Sequence, residues 1–274
     1  MDHSNAVTLV VTSAIRPPAD MPFLRLADPQ QRLFQTYCSL ICWIRETQIT
    51  SIILCDNTGP QYSFSGIAEL ADQHHKQLEI LTFVGCHDRT LSQGKGYGEG
   101  EIMKHVMGHS RFLLEGTAFY KVTGRIFVEN FDALHDAHAD QSVVFGLWPH
   151  MAPWKKALLS AAGKSAPLAS CLPVIRKVSL PTTFYKCTRH YYKDNLIDRF
   201  RQVDDSNGYF LEHALMRPLF KNGFEVFSTQ PCLVGVSASK GTPYSGLEYS
   251  DDVRSLATLL LTRETKDADR KSQE

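Results

Sequence analysis

Val7-Thr-Leu-Val-Val-Thr-Ser13 is a continuous run of β-branched and apolar residues, without the polar alternation of a half-exposed strand. A strand covered on both faces reads this way, and its usual place is inside a parallel sheet with helices packed on each side. Ser51-Ile-Ile-Leu-Cys55 repeats the pattern and is closed by the turn-forming Asp56-Asn57-Thr58-Gly59-Pro60. Between the two runs, Asp28 offers an N-cap and Pro29 the first helical position. Leu33, Phe34, Tyr37, Leu40, Ile41 and Ile44 then recur at helical spacing up to Arg45. A second helix over about 65–77 and a third strand, Leu78 to Phe83, complete a βαβαβ alternation. Parallel strands need crossovers and crossovers need cover, so the expected class is α/β, a mostly parallel sheet with helices on both faces. Ligands of such sheets bind beyond the carboxyl ends of the strands.

Further along, Ile102, Met103, Val106 and Met107 mark a helix from Glu99 to about Met107, and Ala118 to Val128 reads as one long fourth strand. The stretch from Gly146 to Pro181 holds Pro149, Pro153, Pro167, Pro173 and Pro181 and has no assigned elements. Thr182 to Tyr192 reads as a strand, Asn207 to Met216 as a helix stopped near Pro218, and Phe224 to Ser237 as one or two strands. Residues 1–262 are expected to form a single domain with a C-terminal elaboration. Residues 263–274 are a wholly polar tail, expected to be disordered. The run Val253 to Leu261 can pack on this chain or on a partner.

The 274 residues carry 29 Lys plus Arg against 29 Asp plus Glu, so no global field gathers nucleic acid, and any anion site must be local. Seven cysteines without a CxxC pair fit a reduced compartment. With no secretory signature and no run near the roughly 20 apolar residues that span a bilayer, the expected location is cytoplasmic; peripheral membrane association stays open.

Two segments bring positive charge to strand ends. Gly94, Gly96, Gly98 and Gly100 flank Lys95 in a run that reads as a flexible loop, its amides able to approach an anion. It matches neither the Walker nor the dinucleotide pattern. In Phe119-Tyr-Lys-Val-Thr-Gly-Arg125, a period of two puts Lys121, Thr123 and Arg125 on one face. Cations inside an apolar strand need anions. Either Glu115, Glu129 or Glu99 supplies a salt bridge, or a bound diphosphate does.

In the order of these segments, from TLVVTS through IILCDNTG, LEILTF and GKGYGEGEIMKHV to FYKVTGRIFVEN, the chain resembles the GT-A type of nucleotide-sugar glycosyltransferase, especially small bacterial enzymes of surface polysaccharide (capsule or lipopolysaccharide) synthesis. The resemblance implies a Rossmann-related, GT-A-like fold, with a nucleotide-binding half over about 7–130 and an acceptor-side half over about 131–250. It implies a nucleotide-sugar donor and a glycan or lipid-linked saccharide acceptor, and a place in the cytoplasm or at the inner face of the membrane. Thr12, Ser13, Asp56 and Asn57 would hold the donor's nucleoside, although a simple turn accounts equally for Asp56-Asn57. Lys95, Gly96, Gly98, Thr123 and Lys240, the last in a flexible run that is either a lid or an ordinary loop, would join them. Such enzymes place Asp-x-Asp at the end of the fourth strand to hold Mg²⁺ or Mn²⁺. Here Lys121-Val-Thr-Gly-Arg125 stands in its place, so the expectation is that Lys121 and Arg125 replace the metal and no cofactor is required. A weak oxygen site at Glu129, Asn130 and Asp132 keeps Mg or Mn open. An inverting enzyme also needs a base for the acceptor hydroxyl, and Glu212, near the start of a late helix, is the candidate, with Asp204 and Asp205 in reserve. A surface carboxylate on an amphipathic helix accounts for Glu212 equally well. The alternatives are a nucleotidyltransferase on a similar sheet and a noncatalytic nucleotide or glycan sensor. His135 and His138 read as exposed helix residues.

Overall fold

The computed structural model describes residues 7–59, 62–114, 117–152, 154 and 179–271. Much of the proline-rich middle therefore lies outside the described residues, as does Glu115. In chain order the strands are β1 (Thr8–Ser13), β2 (Ser51–Asp56), β3 (Gln77–Thr82), β4 (Ala118–Thr123), β5 (Ile126–Val128), β6 (Val143–Phe145), β7 (Phe184–Thr188), β8 (Glu225–Val226) and β9 (Leu233–Gly235). The helices used below are α1 (Pro29–Arg45), α2 (Ser65–Gln73), α3 (His87–Gln93), α4 (Lys95–His109), α5 (Phe131–Ala137), α6 (Leu211–Asn222) and α7 (Asp251–Lys271).

The main sheet is mostly parallel, with spatial order β3-β2-β1-β4-β7-β6-β8. β1 to β4 all pair in parallel, β7 runs antiparallel between β4 and β6, and β8 returns parallel to β6. Every residue of β1 and β2 is buried, and alternate side chains enter different cores. Leu9, Val11, Ile52 and Leu54 pack with α1, α2, α5 and α7, whereas Val10, Ile53 and Cys55 pack with α4 and α6. The unbroken apolar runs in the sequence are the signature of this double cover. Helix α1 begins as its sequence dictates: Asp28 Oδ1 accepts from the Gln31 N–H at 2.7 Å, with Pro29 at the first position.

The structure departs from the sequence expectations in several places. The fourth strand ends at Thr123. At Gly124 the chain comes so close to β1 that its N–H bonds the Thr12 carbonyl at 2.8 Å, and a Cβ there would sit 2.9 Å from that oxygen. Beyond this turn, β5 leaves the sheet and pairs with β9. The glycine run is not a loop: apart from Gly94, which caps it, the run forms the first turns of α4. Its glycines admit neighbouring elements, and a Cβ on Gly100 would lie 2.0 Å from the Phe200 Cβ. Contact with a neighbouring element, which a single sequence does not show, outweighs the local cost of glycine in a helix. The 182–192 segment is extended only over β7 and then winds into helical turns, with Thr188 Oγ1 accepting from the Tyr191 N–H. Helix α6 starts later than expected and runs through Pro218, because Leu215, Met216, Leu219 and Phe220 all lie in the core. The polar tail is helical to Lys271, the end of α7. Val253, Ala257 and Leu260 of that helix are buried with α1 and α2, so the 253–261 run packs on its own chain. No helix among the described residues is long and apolar enough to cross a membrane.

Candidate active site

A cavity of about 320 Å³ opens where α/β sheets place their ligands, beyond the carboxyl ends of β1, β2 and β4. Thr12 and Ser13 end β1, Asn57 follows β2, Thr123 ends β4, and Arg125 follows the Gly124 turn; all five line the space. The first turns of α4 bring Lys95, Gly96, Gly98 and Glu99 to one wall, and the start of α6 brings Phe210, Leu211 and Glu212. The segment 237–240, including Lys240, forms part of the lining and is tied down twice. Lys95 Nζ bonds the Ser239 hydroxyl, and the Ala238 carbonyl accepts from the N–H groups of Arg25 and Leu26 at 2.8 and 3.1 Å.

Two arginines set the electrostatics. Arg32 and Arg125 are each 5% exposed, and both line the cavity. Arg32 donates to the carbonyls of Ala14 (2.6 Å) and Leu26 (2.9 Å), while the Arg125 Nε has no hydrogen-bond partner. Neither forms an ion pair within 4.0 Å among the described residues. Burial lowers the proton affinity of both, and for Arg32 the charge of Arg125 adds to the effect. The charge of Asp56 acts on Arg32 and that of Glu99 on Arg125, but neither guanidinium meets a carboxylate directly, and desolvated cations left so are costly unless an anion joins them.

Carboxylates stand on the other walls. The Glu212 carboxyl is raised above its ordinary value, first by burial and then by the charge of Glu99; its own backbone N–H, Lys95 and Lys121 oppose the shift. The Thr182 hydroxyl donates to Glu212 Oε1 at 3.4 Å. Asp205 also lines the space, raised by burial with Lys95 opposing. Its neighbour Asp204 is taken up by the local turn, accepting from the Ser206 hydroxyl at 2.6 Å and the Asn207 amide at 2.7 Å. Glu212 falls in the first turn of α6. A second space of about 820 Å³ adjoins the cavity, lined in part by Phe23, His150 and His213 and sharing Glu212, Lys95, Trp148, Asp205, Phe210 and Lys240 with the first.

Two expected site residues do not reach the cavity. Lys121 is fully buried and faces α4, where its Nζ meets Glu99 Oε1 at 2.5 Å and the Thr182 carbonyl at 2.8 Å. Of the two readings of the cation strand, the salt bridge therefore holds for Lys121, while Arg125, lying beyond the turn rather than in the strand, keeps the open position. Asp56 organises its own turn: it accepts from the Ile15 N–H at 2.9 Å and the Thr58 N–H at 2.8 Å, and bonds the Thr58 hydroxyl. The segment after β4 also fails as a divalent-cation site. The Asn130 amide holds the Gln230 carbonyl and the Cys232 N–H, Asp132 accepts from the Gln48 N–H, and Glu129 is exposed and outside the cavity lining. His138 is buried and bonded to Ser228, and His135 meets the Tyr120 hydroxyl at 3.1 Å; neither is a free surface residue. Arg32 was not among the expected residues. Its signal was a charge in phase with a buried stripe, since Thr36, Ser39 and Trp43 follow it along one side of α1 and all are buried.

No protein-family model matches the sequence, and no curated protein matches it. Among solved structures, the chain is similar to the glycosyltransferase GlyE of Streptococcus pneumoniae, with 11% identity, a TM-score of 0.46, and coverage of 81% of this chain and 45% of that one. It is similar to TarS 1–349 of S. aureus (11%, 0.43, 83% and 59%). It is also similar to core-mannan synthase A of Aspergillus fumigatus in its Mn/GDP form (9%, 0.39, 80% and 71%). The chain spans about half the length of the first two.

Proposed function

We propose that this chain is a glycosyltransferase that moves a sugar from a nucleotide-diphosphate donor to a glycan or lipid-linked acceptor, with inversion at the anomeric carbon. One observation carries the proposal: two buried arginines without carboxylate partners share a strand-end cavity with a desolvated glutamate, Glu212. A pyrophosphate is the anion that planar guanidiniums grip best. In this arrangement Arg125 and Arg32, with Lys95, hold the diphosphate. Thr12, Ser13 and Asn57 face the nucleoside, Thr123, Gly96 and Gly98 line the sugar's approach, and Lys240 closes over it. The acceptor enters by the second space, where Phe23, Trp148 and Phe210 offer apolar faces.

Chemically, the acceptor hydroxyl gives its proton to Glu212 as its oxygen attacks the anomeric carbon. The bond from that carbon to the diphosphate oxygen breaks, and the departing diphosphate takes the electron pair under the arginines. The residues after β4 do not fit a divalent cation, because Asn130 and Asp132 are taken up by backbone groups. Donor binding falls mainly to the 7–130 half, with Lys240 added from beyond it, and acceptor binding mainly to the 131–250 half, with Phe23 added from the first, within one domain over 1–262. A surface-polysaccharide role in the cytoplasm, at the inner face of the membrane, is the setting in which such a donor and acceptor meet.

The test is a thermal-shift screen against UDP, GDP, CMP and dTDP and their sugars, with and without EDTA, followed by product analysis. One nucleotide family should raise the melting temperature in both buffers, and the product should carry a new glycosidic bond. A strict Mg²⁺ requirement with a new nucleotide linkage would establish the nucleotidyltransferase instead. Tight binding without transfer to any acceptor would establish a sensor.

A further inference from the structure

Lys121 is displaced from the donor's phosphates by Glu99, yet its contacts lead to Glu212 by another route. Its Nζ, without exposed surface, bonds Glu99 Oε1 at 2.5 Å, the Thr182 carbonyl at 2.8 Å and Thr123 Oγ1 at 3.3 Å. The same Thr182 sends its hydroxyl to Glu212 Oε1 at 3.4 Å. A continuous line of polar contacts thus joins α4, β4, residue 182 and α6. Bonds of this length are common in ligand-free sites and tighten when the reacting groups are in place.

We propose that Lys121, Glu99 and Thr182 are positioning residues for Glu212: the ion pair anchors the backbone at 182 so that its hydroxyl meets the carboxylate, and it keeps the net charge beneath that carboxylate at zero. The assignment deepens the proposed function and rests on Glu212 being the base. Charged and titratable groups reach the space around Glu212 from several elements, and Arg32 of α1 lines the same cavity. Helix α4 contributes Glu99 and Lys95, β4 contributes Lys121, and the turn after it Arg125. Asp205 precedes α6, His213 is the next residue on α6 itself, and Lys240 faces it from the 237–240 segment. His87 lines the first space and His150 the second. Among these, Lys121 and Glu99 are the pair in direct contact with each other, so each alone changes the field at Glu212 and both together leave it little altered.

The experiment is a carbon-13 NMR titration of the ligand-free full chain labelled at glutamate carboxyls, with Glu212→Gln identifying the resonance. Glu99→Gln leaves the buried ammonium unmatched and should lower the Glu212 midpoint by about one pH unit. Lys121→Met leaves Glu99 facing Glu212 and should raise it. The double variant restores the charge balance but lacks the ammonium that holds the Thr182 carbonyl, so its midpoint should lie below that of Lys121→Met and no higher than that of Thr182→Val, which removes the hydroxyl, keeps the shape and should itself raise the midpoint. Unchanged midpoints in Glu99→Gln and Thr182→Val would overturn the proposal, as would shifts of one sign in both ion-pair variants, the mark of general loosening. Should Lys121→Met fail to fold, the other two variants still decide the matter. Nucleotide binding is read separately, so loss of the glycosyltransferase assignment and loss of this one give different results.

Discussion

Replacing Arg125 with methionine should strengthen the fold and weaken the ligand. The guanidinium is 5% exposed, its Nε has no partner, and its charge bears on Arg32. A buried unsatisfied donor costs about 1–3 kcal/mol. Methionine keeps most of the apolar stem buried, so little packing is lost against that relief. A net gain of about 1–2 kcal/mol corresponds to roughly 2–4 °C in Tm for a chain of this size. Loss of one charge-assisted contact to a diphosphate costs about 1.5–3 kcal/mol, or roughly 10- to 100-fold in Kd. Differential scanning fluorimetry on the ligand-free chain, and calorimetry with the nucleoside diphosphate found in the thermal screen, measure the two effects. A lower Tm together with an unchanged Kd would refute the reasoning, because it would make Arg125 a structural cation and leave the cavity without its anion.

The raised carboxyl of Glu212 binds its proton more tightly folded than unfolded, so its charge destabilises the chain above that raised value. Glu212→Gln should therefore raise Tm at neutral pH while abolishing transfer. The Tm gain should shrink as pH falls through the folded value toward that of an ordinary glutamate, and scanning fluorimetry across pH 4.5–8 would show it. Gly100→Ala places a Cβ 2.0 Å from the Phe200 Cβ and should cost about 1–3 kcal/mol in urea unfolding. Gly208→Asn, at φ +70° with nothing within 4 Å of an added Cβ, should change stability by no more than about 0.5 kcal/mol.

The parallel half of the fold was legible because its rules are local. Asp28-Pro29 announces α1 by its own chemistry, and the unbroken runs at 8–13 and 51–56 report cover on both faces. The site was legible to the extent that strand ends locate it, which is why Thr12, Asn57 and Thr123 all line the cavity. What failed depends on neighbours remote in sequence. The glycines of α4 answer to Phe200 and Leu211, about a hundred residues away, and no pattern within the run distinguishes that from flexibility. The salt bridge of Lys121 was open in the sequence, which offered Glu99 among three carboxylates, and alternation alone could not choose it. The break at Gly124 is imposed by the Thr12 carbonyl, so a residue counted into the strand lies beyond it.

The small β5–β9 ribbon links parts of the cavity that the sequence keeps far apart. Arg125 immediately precedes β5 and residues 237–240 follow shortly after β9. The Ile126–Gly235 register joins the two ends, and the Tyr249 hydroxyl clasps the Arg125 carbonyl at 2.8 Å. The cavity-facing guanidinium and the covering segment are consequently mounted on one short girder. The floor of the cavity and its cover therefore share one support, the three pairs of facing residues of this ribbon.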